Sequence, residues 1–285
     1  MKVILIGNRS MLGQDIFKVL SSNNISIADF SSDQIDITSE ESIKQGLINC
    51  ENYDYLINCA AYTKVDLCEK EFDLALDVNS KGVHLLANWC FSHNVILMHF
   101  STDYVFNGKQ NVFHSEDCDC DPINKYGLSK LRGEQAIKTR LERYYIFRVQ
   151  WLYGCFGHHF VRAIVSKAKQ NDSISIVNDQ WGSPTWTLDI ANMIKCVIDT
   201  SPSYGVYHFR SFGTTTWYEF GCYFLKQLGI QVNITPVSSN DFSALAKRPS
   251  YGCLSIEKWT SLNLYQPFHW QTAVNSYLEL ENNFE

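Results

Sequence analysis

The sequence predicts an α/β fold built on a doubly wound parallel sheet, with a smaller C-terminal lobe. Three observations predict it. Short apolar runs alternate with amphipathic stretches over residues 1–150, a glycine-bounded turn joins the first run to the first helical stretch, and the pattern loses its regularity over 151–285.

Val3–Ile6 is an apolar run ending at Gly7, as expected of a strand buried on both faces. Leu12, Ile16, Val19 and Leu20 then recur at helical spacing. A second strand covers residues 25–28 and ends at Asp29. A helix follows over Ser39–Leu47, with Ser39 as N-cap and Glu40 and Glu41 in its first turn. Residues 55–59 form a strand, Glu71–Asn88 one long helix, and Val95–Phe100 a strand that runs out at Ser101-Thr102-Asp103. The helix from about Lys125 to Thr139 precedes the strand Tyr144–Arg148. In the second half, strands are expected over Ser173–Val177 and Gly205–Phe209, helices over Phe160–Lys169 and Thr216–Leu228, and a turn-rich stretch over Gly229–Leu254. Some of these segments return to the main sheet.

Composition narrows the function. A formal net charge of -6 argues against a nucleic-acid binder, which needs a basic face to displace counterions. The first apolar run is too short for a signal peptide or a membrane span, so a membrane role is not expected. Ten scattered cysteines read as reduced thiols, which places the chain in the cytoplasm. No metal site is expected. Cys118-Asp119-Cys120 beside His114 has no second cysteine pair at zinc spacing, and His158-His159 has no third ligand at a helical interval.

The turn Gly7-Asn8-Arg9-Ser10-Met11-Leu12-Gly13 stands between strand and helix, where a dinucleotide's pyrophosphate rests on a helix N-terminus. Ser10 occupies the middle glycine position of G-x-x-G-x-x-G, and its hydroxyl is expected to compensate as a donor. Asp29 is placed to accept from a ribose 2′-hydroxyl and favours NADH, whereas Arg9 favours the 2′-phosphate of NADPH. Both dinucleotides stay open.

Tyr126 and Lys130 stand four residues apart on one predicted helix, so phenol and ammonium share a face. A nearby ammonium is expected to lower the phenol's pKa toward the working range. Thr102, at a strand end, is the expected third member, holding a carbonyl oxygen.

Ser101-Thr102-Asp103-Tyr104-Val105-Phe106-Asn107-Gly108, Asp121-Pro122 and Tyr126-Gly127-Leu128-Ser129-Lys130 together resemble the dTDP-4-dehydrorhamnose reductases, which are extended short-chain dehydrogenases. The likeness runs in order from Asn58-x-Ala60-Ala61-Tyr62-Thr63-x-Val65-Asp66, through Arg148-x-x-Trp151-x-Tyr153-Gly154, to Arg248-Pro249. It implies a Rossmann domain for NADPH or NADH, a lobe for a nucleotide sugar, and hydride transfer to C4 of a 4-keto-6-deoxy sugar, as in dTDP-L-rhamnose synthesis. By the resemblance, Thr102, Tyr126 and Lys130 are catalytic, Asp103 and Trp151 line the sugar pocket, and Arg248 pairs with the diphosphate. The dinucleotide would lie along Ser10, Met11, Leu12, Asp36, Ile37, Cys59, Ala60, Ala61 and Phe100.

Three departures fall where substrate is expected: Val149-Gln150 in place of Thr-Ser, His159-Phe160 in place of Asn-Phe, and Gly252 in place of a serine. Two further readings stay open, a reductase or epimerase of another nucleotide sugar and a cofactor-binding regulatory subunit without turnover. A homodimer is left open as well.

Overall fold

The computed structural model describes residues 1–23 and 25–281, so the last four residues of the expected second lobe lie outside it. Its frame is a six-stranded, wholly parallel sheet. The strands are β1 (Lys2–Ile6), β2 (Ser26–Phe30), β3 (Tyr55–Asn58), β4 (Ile96–Thr102), β5 (Tyr144–Val149) and, after four two- to five-residue strands of the second lobe, β10 (Gly205–His208). Their spatial order is β10-β5-β4-β3-β1-β2. The order turns back at β1, so the crevice between β1 and β3 lies where such sheets bind ligands.

Strand alternation divides the core into two layers. Val3 and Leu5 of β1 and Met98 of β4 pack on one face, against α1 (Met11–Ser22) and α8 (Thr187–Thr200). Ile4, Ile6 and Leu97 pack on the other, against α2 (Glu40–Gly46), α5 (Val83–His93) and α6 (Lys125–Arg140). Ser10 and Ser39 cap α1 and α2 by accepting from Gly13 and Ser42 N–H, each worth about 1 kcal/mol.

The long helix expected over Glu71–Asn88 is present and unbroken from Phe72 to His93, interrupted in its hydrogen bonding by one π-helical turn, and it follows a short α3 (Val65–Cys68) that the sequence does not predict. Its successive parts are α4 (Phe72–Leu76), a π-helical turn over Asp77–Gly82, and α5, which runs on to His93. The π turn points Asn79 inward. Fully buried, its amide donates to Tyr62 O (3.0 Å) and Ser129 Oγ (2.9 Å) and accepts from Tyr62 N–H (2.9 Å). One extra residue in the helix thus anchors α6.

The second lobe holds a separate apolar cluster. It is built from α7 (Phe160–Gln170), β7 (Ser173–Val177), α9 (Trp217–Gln227) and α11 (Trp270–Leu280). Three features differ from the sequence reading. Residues 187–200, given no element, form α8, which packs on the sheet through Ile190, Ile194 and Val197. Residues 270–280, also given none, form α11. The turn-rich stretch after Gly229 contains β12 (Asn233–Val237), paired in parallel with β7.

Candidate active site

The Gly7 turn is built to bring backbones together. Gly7 has φ +81, and a β-carbon there would lie 2.8 Å from Ala60 N. Only glycine meets both demands. The turn therefore presses the carboxyl end of β1 against Cys59 and Ala60, both half-buried. Ser10 does not supply the outward donor expected of it. Its hydroxyl donates to Gly7 O (2.7 Å) while accepting from Gly13 N–H (3.0 Å), because the N-cap geometry turns it inward. Asn8 Oδ1 is buried without a partner, an orphaned acceptor in the cradle itself. A dinucleotide fits this set of residues.

Asp29 and Arg9 are both engaged. Asp29 Oδ2 accepts from Asn8 Nδ2 at 2.6 Å, and exposed Arg9 pairs with Asp33. Leu12 is buried in the core, whereas half-buried Met11 reaches toward Gly154. Asp36 is exposed and accepts from Thr38, and Ile37 is buried in the core. Phe100 packs on Phe147, their rings 5.8 Å apart. It is a core residue first.

The catalytic candidates converge at the end of β4. Thr102 Oγ1 accepts from Tyr104 N–H (3.1 Å) and donates to Asp103 Oδ1 (3.0 Å), and the Tyr126 phenol lies beside the same hydroxyl. The Tyr126 ring meets the Tyr104 ring edge-on at 5.8 Å. Gly127 permits this approach of α6, since a β-carbon there would stand 2.1 Å from Tyr104 O. Asn124 caps α6 by accepting from Gly127 N–H (2.7 Å) and ties down the distant loop by donating to Lys247 O (2.8 Å).

Electrostatics here run against one expectation. Burial first, then the nearby Asp103 carboxyl and Tyr104, push the Tyr126 phenol well above its usual range, so the lowering expected from Lys130 does not prevail. The reason is geometric. Lys130 is itself 2% exposed and its Nζ lies 3.2 Å from His99 Nε2. Burial brings the lysine down to about 8 against the opposing pull of Glu134. Asp103 is pushed up to about 7 by burial.

Arg248 and Trp151 sit farther out. Arg248 Nη2 holds Asp66 Oδ2 at 2.7 Å, so the guanidinium expected to meet a diphosphate already has a carboxylate partner. Trp151 has φ +48 and stacks on Trp217 at 3.6 Å. Tyr104, Phe160, Lys167, Trp217, Phe242 and Arg248 line a cavity of about 680 Å³ beside the site. The size suits a nucleotide-sized ligand.

The sequence reading gave no role to Asn58, His99 or Asn79, the buried polar groups beneath the site. Their signal was polarity inside apolar strands and helices. Of the departures, Gln150 and Gly252 touch each other. With its amide turned to satisfy both neighbours, Gln150 donates to Gly252 O (2.5 Å) and accepts from Ser183 N–H (2.6 Å). His159 lies elsewhere, as the N-cap of α7.

The family model of the RmlD substrate binding domain matches residues 1–282. A dTDP-4-keto-6-deoxy-D-glucose reductase of Streptomyces niveus is 34% identical, over 98% of this chain and 97% of the relative. A dTDP-4-dehydrorhamnose reductase of Aggregatibacter actinomycetemcomitans is 32% identical, over 96% and 97%. The crystal structure of dTDP-4-dehydrorhamnose reductase from Bacillus anthracis in complex with NADP superposes with a TM-score of 0.94 at 35% identity, covering 98% of this chain and 99% of that one. With the family model spanning residues 1–282 and relatives above 30% identical along nearly the whole length, the chain belongs to the RmlD substrate-binding-domain family.

Proposed function

We propose that this chain is an NADPH-dependent oxidoreductase, with NADH as the alternative donor, that reduces the C4 keto group of a dTDP-4-keto-6-deoxy sugar. The simplest substrate is dTDP-4-dehydro-L-rhamnose, giving dTDP-L-rhamnose for cell-surface polysaccharide. One observation carries the reading: Thr102, Asp103 and Tyr126 gather at the carboxyl end of β4, on the same edge of the parallel sheet as the Gly7 cradle that follows β1.

The bound dinucleotide supplies the hydride. Tyr126, its proton held firmly by burial, is suited to give that proton to the oxygen that gains charge. Thr102 holds this oxygen, and Lys130 meets the dinucleotide's ribose. Gly7, Ser10, Met11, Leu12, Gly13, Cys59, Ala60 and Ala61 form the cofactor wall, with Asp29, Asp36, Ile37 and Phe100 behind or beside it. Asp103 and Trp151 face the sugar, and Arg248, held in place by Asp66, faces the diphosphate. Residues 1–150 serve the dinucleotide and 151–285 mainly the sugar nucleotide. A cytoplasmic location fits the free thiols, and a homodimer completes the reading, to be checked by sedimentation. Among the described residues, no helix is long and apolar enough to cross a membrane.

The test follows nicotinamide absorbance with dTDP-4-dehydrorhamnose and either dinucleotide. Tyr126→Phe should lose about 10²–10⁴-fold in kcat while still binding cofactor. Undiminished turnover rejects the assignment. A second reading, another nucleotide sugar, is favoured by the Gln150–Gly252 contact beside Asp103; activity only on a different keto sugar would select it.

A further inference from the structure

Beneath Lys130 runs a chain of three hydrogen bonds, two of them buried, whose direction can be worked out from one end. Asn58 Oδ1 accepts from Ala60 N–H at 3.0 Å. A backbone amide only donates, so this contact fixes the orientation of the Asn58 carboxamide. Its other end, Nδ2, faces His99 Nδ1 at 3.2 Å and can only donate. His99 Nδ1 must therefore accept, and a neutral ring then carries its proton on Nε2. That nitrogen lies 3.2 Å from Lys130 Nζ.

An ammonium has no lone pair, so a charged Lys130 would set donor against donor. The amine form has the lone pair that His99 Nε2–H needs. His99 cannot resolve the conflict by charging, because burial first and Lys130 second hold its pKa well below the ordinary value. Reversing the tautomer only moves the clash to Asn58 Nδ2. Asn58 and His99 are 1% and 0% exposed, so no solvent relieves the mismatch.

We propose that His99 is a positioning residue for Lys130: held by Asn58 with its proton on Nε2, it donates to the amine form of the lysine and loosens the lysine's hold on its proton. Other groups around Lys130 do not replace this control. Glu134, one turn along α6, favours the ammonium, but its carboxylate is claimed by Arg148 and Lys138. The Cys59 thiol, at the end of β3, is kept neutral by burial. Tyr126 on α6 is held in its phenol form. The inference leans on the reductase reading only in giving Lys130 a part in turnover.

The experiment is nitrogen-15 NMR on the full-length protein. Ring nitrogen shifts of His99 give its tautomer, and Lys130 Nζ is followed through pH. We expect a protonated Nε2, and a Lys130 that titrates at or below the value of about 8 that burial gives it. In His99→Gln, whose carboxamide oxygen can turn to the lysine, the titration should move up by about one pH unit, tenfold in proton affinity. The limb of kcat/KM near that pH should move with it. A proton on Nδ1, or a lysine titration unmoved in His99→Gln, overturns the proposal. The wild-type tautomer decides even if the variant does not fold. If no nucleotide sugar is reduced, the reductase reading fails while both NMR measurements still judge this one.

Discussion

Asp103 and Gly252 face each other so closely that a β-carbon on Gly252 would lie 2.6 Å from Asp103 Oδ2. Asp103 is 3% exposed, so it cannot shift without disturbing a contact it already makes. In Gly252→Ser the carboxyl must move, and its hydrogen bond with Thr102 is the contact that gives way. Such a bond is worth about 1 kcal/mol, so kcat/KM for the sugar nucleotide should fall about fivefold to tenfold. Cofactor affinity, measured by NADPH fluorescence, should not change. Equal kcat/KM in the two proteins would show that Asp103 is not held by this packing.

Asp103 also makes stability depend on pH. Burial raises its folded pKa to about 7 from an ordinary 3.8. The unfolded chain therefore loses this proton first, and the folded state pays increasingly as pH rises from about 4 to about 7. Stability from this group is complete below the lower value and gone above the upper. Urea midpoints should decline across that window more steeply in the wild type than in Asp103→Asn. Parallel curves would contradict the raised pKa.

How much of this was legible depended on distance along the chain. Tyr126 and Lys130 are one helical turn apart, and Thr102 ends an apolar run, so local spacing placed them on one helix and one strand end, and the surrounding motif singled them out. The sheet was legible for the same reason, since each strand is a short apolar run with its own boundaries. Arg248 and Asp66 are separated by 182 residues, and no local pattern announces that pair. The His99–Lys130 contact needs the strand and helix already docked. The π turn at Asp77–Gly82 leaves the apolar spacing of its helix almost unchanged, so it was invisible without its hydrogen bonds. Helix α8 is a different case. Ile190, Ile194 and Val197 recur at helical spacing, but Trp186 before them provides no side-chain cap to mark the start.

The Asp66 carboxylate clamps the loop that reaches the cavity. It accepts from Leu245 N–H (3.0 Å), Ala246 N–H (3.0 Å) and both terminal nitrogens of Arg248 (3.2 and 2.7 Å). The Arg248 hydrogen bond is the main cause that holds its pKa below the ordinary value, so the clamp persists above that value and is lost only as pH falls through the lowered one. Asp66→Asn keeps one acceptor but removes the charge. The loop should loosen and KM for the sugar nucleotide rise about fivefold, with kcat nearly unchanged. A fall in kcat at constant KM would instead place Asp66 in the chemical step.

Glu134 and Arg148 form a buried bidentate pair at 2.7 and 2.9 Å, with 0% and 1% of their side chains exposed. Burial pushes the Glu134 carboxyl up, but the Arg148 hydrogen bond and charge outweigh it, and the net direction is down. Arg148 also meets His208 Nε2 at 3.3 Å and Cys120 Sγ at 3.2 Å, and lies over the Phe106 ring. The pair therefore joins α6 to β5, β10 and the 114–120 loop. Glu134→Gln leaves the buried guanidinium without the carboxylate it pairs with, the Glu116 charge acting on it only more weakly, which costs about 3–5 kcal/mol of stability in urea unfolding. Replacing both residues, as in Glu134→Leu with Arg148→Met, should recover most of that loss, because removing both charges removes the burial penalty as well. If the single variant is as stable as the wild type, water reaches Arg148 and the pair is not closed to solvent. The single variant also removes a charge that favours the ammonium of Lys130. Its lysine should therefore give up its proton at lower pH, opposite in sign to the shift expected when His99 is replaced.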